Sequence, residues 1–165
     1  MTTIEKNTIE VRMGDMQIAS APKRLVTWAL GSCLGITLYN SARKIGAMAH
    51  PMLPDIDKAM MKSNPHRYVN SVIRKMLEEL EKRGIAKNDL TAKLFGGAHM
   101  FSFITADSIL NVGEKNIAMA RGVFEESAIK IVAQEVGGTF GRTIELNLEN
   151  GQVLVDTISW GRKEV

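Results

Sequence analysis

Short apolar segments separated by turn signals dominate the first part of the chain and predict β-strands. Apolar and polar residues alternate around Val11, and Gly14-Asp15 is a turn signal before the next apolar segment. Residues Ala21 to Lys23 then interrupt the pattern before a longer apolar run. The predicted strands are Ile9 to Met13, Met16 to Ile18 and Leu25 to Leu30.

Two further β-like runs, at residues 31–40 and 45–50, flank a short polar turn and predict a hairpin. A turn centred on Ser41 and Ala42 places Cys33 opposite His50, and directly opposed residues have Cβ atoms about 4.5–5.5 Å apart. A β-bulge at a glycine within the hairpin would shift this register. One predicted face is small and polar, and the other is wholly apolar, with Leu34 opposite Ala49, Ile36 opposite Ala47 and Leu38 opposite Ile45.

The rest of the chain mixes helical and strand patterns. Apolar residues from Val69 to Leu80 repeat at helical spacing, Ser63 or Asn64 can cap this helix, and Gly84 can end it. A second helix is predicted to open near Gly113. The remaining predicted strands are Leu90 to Phe95, Ile129 to Ala133, and the pair Thr143 to Leu148 and Gln152 to Val155 around the hairpin signal Asn150-Gly151. The pattern predicts an α+β fold of layered, sandwich-like β-sheets with two main helices, in one domain over residues 1–165.

Composition narrows the class of protein. The chain has 165 residues, 45% of them hydrophobic, which suits a globular core. No apolar run approaches the roughly 20 residues that span a bilayer, and the chain starts without the apolar stretch of a secretory signal. The lone cysteine excludes an internal disulfide and a cysteine-based zinc finger. These features predict a cytoplasmic protein without membrane insertion.

Charge gives little support for a nucleic-acid partner. The net charge is +3, but lysines and arginines are scattered, and aromatic residues make up only 5% of the chain. The glycine pairs Gly96-Gly97 and Gly137-Gly138 lack the surroundings of a dinucleotide or phosphate loop. They instead mark backbone positions that need a positive φ angle or a close approach.

Cys33 is the leading candidate for chemistry, although a free cysteine is more often a small buried hydrophobic residue. It follows Gly31-Ser32, whose backbone can present N–H groups, and the predicted hairpin places it opposite His50. An imidazole beside a thiol can take its proton or stabilise the thiolate as an ion pair. The pair therefore predicts a cysteine nucleophile with a histidine base.

The other candidate residues are weaker. His66 lies near a helix start and is predicted to be on the surface, whereas His99 follows a glycine pair on a loop and could line the same cleft. Three histidines without clustered carboxylates argue against a metal site. Thr27 is an ordinary strand residue by pattern, but a threonine hydroxyl can accept a hydrogen bond from the second imidazole nitrogen of a Cys-His pair.

At these residues the sequence resembles the chemoreceptor glutamine deamidases of bacterial and archaeal chemotaxis, the CheD family. The motifs that carry the resemblance are Leu30-Gly31-Ser32-Cys33, Ala49-His50-Pro51-Met52-Leu53-Pro54, Phe95-Gly96-Gly97-Ala98, Gly113-Glu114-Lys115-Asn116 and Gly137-Gly138 through Gly141-Arg142. The resemblance implies a triad of Cys33 as nucleophile, His50 as base and Thr27 as orienting group. It also implies a fold similar to that of a bacterial toxin deamidase domain.

The implied reaction is hydrolysis of selected glutamine side-chain amides on methyl-accepting chemotaxis receptors, through a cysteine thioester and without a metal or organic cofactor. The resemblance implies a second partner, a CheC-type phosphatase. A non-catalytic chemotaxis adaptor is the alternative, and it differs in whether Cys33 is needed for ammonia release. A thiol-based redox protein would usually need a second, resolving cysteine, which this chain lacks.

Overall fold

The computed structural model describes residues 6–100 and 111–165, which form two five-stranded sheets and two α-helices. Sheet I has the strand order β1-β3-β8-β9-β10, and sheet II has the order β2-β5-β4-β6-β7. In chain order the elements are β1 (Thr8–Glu10), β2 (Met16–Ser20), β3 (Arg24–Leu30), β4 (Leu34–Asn40), β5 (Ile45–Ala49), α1 (Val69–Lys82), β6 (Thr91–Gly96), α2 (Val112–Glu126), β7 (Lys130–Val136), β8 (Arg142–Asn147), β9 (Val153–Thr157) and β10 (Gly161–Glu164). The predicted α+β class with layered sheets and two helices is confirmed.

Sheet II is the middle of three layers. Both helices pack on one of its faces, where the side chains of Ile36, Ile73 and Phe124 belong to one apolar cluster. Its other face packs on sheet I, where Met48 and Phe95 meet Ile144 in a second cluster. Strand β4 is central in this middle layer, so all seven of its residues are buried. The hairpin face described in the sequence as small and polar lies between the two sheets and is buried.

The predicted register of the β4–β5 hairpin is wrong by two residues. Ile36 pairs with Ala49, and Leu38 pairs with Ala47. The shift arises because the turn is longer than predicted: Asn40 pairs with Ile45, and the Asn40 side chain accepts a hydrogen bond from the Arg43 N–H at 2.8 Å. Side chains repeat with a period of two along a strand, so a two-residue shift preserves which residues share a face. The apolar face survives the error, but Cys33 no longer lies directly opposite His50.

Helix α1 begins later than predicted. Asn64 caps the single 3-10 turn Pro65–Arg67, accepting the His66 N–H at 3.1 Å, and the α-helix starts only at Val69. Its end agrees with the prediction. The N–H groups of Gly84 and Ile85 donate to the carbonyls of Glu81 and Leu80, and Gly84 has a φ of 78°. Paired bonds of this kind around a left-handed glycine form a Schellman motif.

The edge strand β10 was not predicted, since its sequence lacks apolar alternation and all four of its residues are exposed. The hairpin of β8 and β9 around Asn150-Gly151 is present, with Leu146 paired with Val153. In the ranges that the structure describes, no helix is long and apolar enough to cross a membrane.

Two glycines give a matched test of the α1 terminus. We expect Gly84→Ala to lower the free energy of unfolding by about 1–2 kcal/mol, because an L-residue is strained in the left-handed conformation. Gly122 lies inside α2 with no atom within 4 Å of an added Cβ, so Gly122→Ala should raise stability by about 0.5–1 kcal/mol. Urea unfolding of both variants checks this, and a loss of stability in each would contradict it.

Candidate active site

A hydrogen bond between the two sheets connects Thr27 with His50. Thr27 lies on β3 of sheet I and is fully buried, whereas His50 follows β5 of sheet II and is 2% exposed. Thr27 Oγ1 lies 2.7 Å from His50 Nδ1 and 2.6 Å from the backbone oxygen of Val11. The structure therefore brings together two of the three residues singled out in the sequence.

These two contacts determine the tautomer of His50. A threonine hydroxyl has one proton, and the Val11 carbonyl can only accept, so that proton is donated to Val11. Thr27 Oγ1 must then accept from His50 Nδ1, which places the imidazole proton on Nδ1. His50 Nε2 is left with its lone pair, and it has no hydrogen-bond partner among the described residues. A buried, unprotonated imidazole nitrogen is the form that can take up a proton.

Burial keeps His50 neutral. The loss of hydration lowers the pKa of His50 from its ordinary 6.5 to about 4, because the charged imidazolium is poorly solvated in the interior. Burial also raises the pKa of the Cys33 thiol, and the backbone N–H of Cys33 itself opposes this shift in part. With the two pKa values moved in these directions, the resting pair is a neutral thiol and a neutral imidazole.

Cys33 is half-buried on the loop between β3 and β4 and packs against the cluster between the sheets. The Leu34 N–H donates to the Pro51 carbonyl at 3.2 Å, which continues the β4–β5 register two positions beyond the pair of Ile36 and Ala49. In this register Cys33 is a diagonal neighbour of His50 on the same face. Diagonal neighbours are about 7–8 Å apart at the backbone and within reach of long side chains.

The backbone of the Cys33 loop is held by the segment that follows β6 and by α2. The N–H groups of Ala98 and Gly97 donate to the carbonyls of Gly31 and Cys33, both at 2.9 Å, and Asn116 Nδ2 donates to the Ser32 carbonyl at 3.0 Å. Three consecutive carbonyls, those of Gly31, Ser32 and Cys33, thus point toward the segment after β6 and toward α2. In a trans peptide the N–H points opposite to the carbonyl of the same peptide unit, so the N–H groups of Ser32 and Cys33 point away from these two elements.

Gly96 allows this close approach. Its φ is +90°, and a Cβ at this position would collide with the backbone oxygen of Cys33. Gly97 follows with a φ of +63°. The sequence-based expectation of positive φ angles at Gly96-Gly97 is confirmed, and Gly137 and Gly138 also have positive φ angles.

The remaining histidines contribute less. His66 is half-buried, and no hydrogen bond in the described residues joins it to Thr27, Cys33 or His50. His99 comes directly after Ala98, whose N–H donates to the Gly31 carbonyl, and its own N–H donates to the Gly138 carbonyl at 2.8 Å. Within residues 6–100 and 111–165, no group of three or more histidine, cysteine or carboxylate side chains could hold a metal ion.

The sequence reasoning assigned no role to Asn116. This residue is fully buried on the face of α2 that also carries Ile117 and Ala120, and its amide reaches the Cys33 loop. A polar residue on the apolar face of a predicted helix was the available signal, because a buried amide needs a partner.

Comparisons with known proteins identify the family of this chain. A family model described as CheD chemotactic sensory transduction matches residues 52–157, a range that begins after Thr27, Cys33 and His50. A protein of Clostridium novyi is 38% identical over 162 residues, which cover 98% of this chain and 100% of the relative. A protein of Moorella thermoacetica is 40% identical over 158 residues, which cover 94% of this chain and 93% of the relative. Both relatives are named "Probable chemoreceptor glutamine deamidase CheD".

A solved structure supports the fold alone. A Neisseria meningitidis protein described by the family model DUF152 superposes with a TM-score of 0.50 at 11% sequence identity. The match covers 81% of this chain and 64% of that protein. The family model covers more than half of the chain, and the Clostridium and Moorella relatives match it over nearly its full length. The chain therefore belongs to the CheD family.

Proposed function

We propose that this protein hydrolyses selected glutamine side-chain amides of chemotaxis receptors to glutamate and ammonia, with Cys33 as the nucleophile. The relatives named as chemoreceptor glutamine deamidases supply the reaction and the substrate class. The observation that carries the mechanism is the Thr27–His50 hydrogen bond, because it leaves His50 Nε2 as an unprotonated base on the same face as Cys33.

The first half of the reaction forms a thioester. His50 Nε2 takes the thiol proton as Cys33 Sγ attacks the amide carbon, and the carbonyl π electrons move onto oxygen. The tetrahedral intermediate then collapses: the carbon–nitrogen bond breaks, and protonated His50 donates its proton to the leaving nitrogen, which departs as ammonia. Thr27 accepts from Nδ1 throughout and so keeps the ring in one orientation.

The second half returns the enzyme to its starting state. His50 Nε2 takes a proton from a water molecule as the water oxygen attacks the thioester carbon. Collapse breaks the carbon–sulfur bond, the glutamate carboxyl group is released, and the thiolate recovers its proton from His50. In both halves the N–H groups of Ser32 and Cys33 can donate to the oxyanion. The carbonyls of the same peptide units are bound by Ala98 and Asn116, so these N–H groups point away from those residues.

Family membership also supports three further proposals. Residues 1–165 act as one deamidase domain, in the cytoplasm, where the receptor region that carries the glutamines lies. A CheC-type phosphatase is the second partner. The protein acts without a nucleic-acid partner and without inserting into the membrane. The two sheets and two helices support the first of these, since they share two continuous apolar clusters.

Replacing the nucleophile tests the reaction directly. We expect Cys33→Ala to abolish glutamine-to-glutamate conversion in receptor cytoplasmic fragments while the fragments still bind. Peptide mass spectrometry detects the mass change, and ammonia release gives the rate. Wild-type protein that binds the fragments without converting any glutamine would contradict the deamidase and favour an adaptor.

Substitutions of the base and its partner should differ in severity. His50→Ala should lower kcat by about 10²–10⁴-fold, the usual contribution of a general acid–base group. Thr27→Val should cost less, about 1–3 kcal/mol or roughly five- to 150-fold, because it removes the orienting bond but keeps the imidazole. Thr27→Ser is the matched control that restores the hydroxyl. Wild-type kcat in Thr27→Val would show that the bond is only structural.

The lowered pKa of His50 makes stability depend on pH. Between pH 6.5 and about 4 the unfolded chain binds a proton at His50 that the folded protein does not, so the free energy of unfolding should fall as the pH falls through this window. Urea unfolding of wild type and His50→Gln at several pH values isolates this contribution. Parallel stability curves for the two proteins would contradict it.

A further inference from the structure

Asn116 donates both of its amide protons to backbone carbonyls at the candidate active site. Its Nδ2 donates to the Ser32 oxygen at 3.0 Å and to the Met52 oxygen at 3.1 Å. Ser32 precedes the nucleophile Cys33, and Met52 lies two residues after His50. One fully buried side chain on α2 thus contacts the segments that follow two different strands of the site.

The orientation of this amide follows from its partners. A reversed amide would place Oδ1 against two carbonyl oxygens, which cannot donate, so Nδ2 must face them. Oδ1 is consequently buried without a hydrogen-bond partner among the described residues. A buried polar atom left unpaired costs about 1–3 kcal/mol, a cost that an apolar side chain at this position would avoid. The presence of an asparagine at this buried position therefore needs an explanation other than packing.

The bond to Ser32 fixes the direction of the next N–H group. The peptide between Ser32 and Cys33 is planar and trans, so its N–H points opposite to the carbonyl that Asn116 holds. This N–H belongs to Cys33, and it lowers the thiol pKa against the effect of burial. Asn116 therefore orients a donor that borders the reacting sulfur.

The bond to Met52 makes this orientation rigid. An amide that donates through one N–H alone can still rotate about its last side-chain torsion, whereas two acceptors in different segments fix its plane. The Met52 backbone is itself held, since its N–H donates to the Arg67 carbonyl at 2.7 Å. The neighbouring carbonyls of Gly31 and Cys33 are bound by backbone donors, so Ser32 is the one member of this trio that a side chain holds.

We propose that Asn116 is a positioning residue that aims the Cys33 N–H at the oxyanion of the tetrahedral intermediate, without touching the substrate. This inference rests on the proposed deamidation through Cys33. Misaiming one oxyanion donor weakens binding of the transition state but not of the receptor. The loss should therefore appear in kcat, with KM changed little.

The test compares Asn116→Asp and Asn116→Ala with wild type. Asn116→Asp keeps the size of the side chain but replaces the two amide donors with a carboxyl group, which donates one hydrogen bond when protonated and none when ionised, so at least one of the two bonds is lost. We expect kcat on receptor fragments to fall about 10–10³-fold, up to the loss seen for one removed oxyanion donor, with KM within about twofold. Iodoacetamide alkylates the thiolate without forming an oxyanion, so its limiting rate at high pH, where Cys33 is ionised, should stay within about twofold of wild type.

Asn70 supplies the matched control. It is also a buried helical asparagine, 2% exposed, and its side chain bonds Ile56 and Asp55 rather than the site. Asn70→Ala should lose stability in urea unfolding but keep the wild-type kcat. If both Asn116 variants keep the wild-type kcat, or if turnover and alkylation fall together, the inference is overturned and the deamidase stands. If wild type itself converts no glutamine, both fall.

Discussion

The single proton of the Thr27 hydroxyl determines the state of the site. Because it is donated to the Val11 carbonyl, the same oxygen can only accept from His50, and the imidazole can carry its proton only on Nδ1. The bond also joins sheet I to sheet II at the place where the chain leaves β5. The same hydrogen bond therefore holds the two sheets together and sets which nitrogen of His50 carries the proton.

Burial shapes the proposed chemistry in both directions. It lowers the pKa of His50 and raises that of Cys33, so the site starts from a neutral pair rather than from a thiolate–imidazolium ion pair. A histidine with a low pKa is a weaker base toward the thiol but a stronger acid once protonated. The strong acid suits the difficult step of amide hydrolysis, in which a poor nitrogen leaving group must receive a proton.

The sequence pattern predicted individual elements better than the contacts between them. Apolar spacing located α1, and Gly84 marked its end, because both signals are local. The β4–β5 register failed by two residues, since it depended on a turn held by the Asn40 side chain rather than on hydrophobic alternation. The edge strand β10 carried no alternation to detect, because all of its residues are exposed.

By itself the sequence determined the fold class and, through its resemblance to the CheD family, which cysteine, histidine and threonine to consider. Only the tertiary structure decided how these residues act, because tautomer, burial and hydrogen bonding depend on segments far apart in the chain. Val11 directs the proton of Thr27, and Asn116 reaches Ser32 from 84 positions away. Local pattern reports neighbours along the chain, whereas a buried polar atom is governed by whichever distant backbone group packing brings to it.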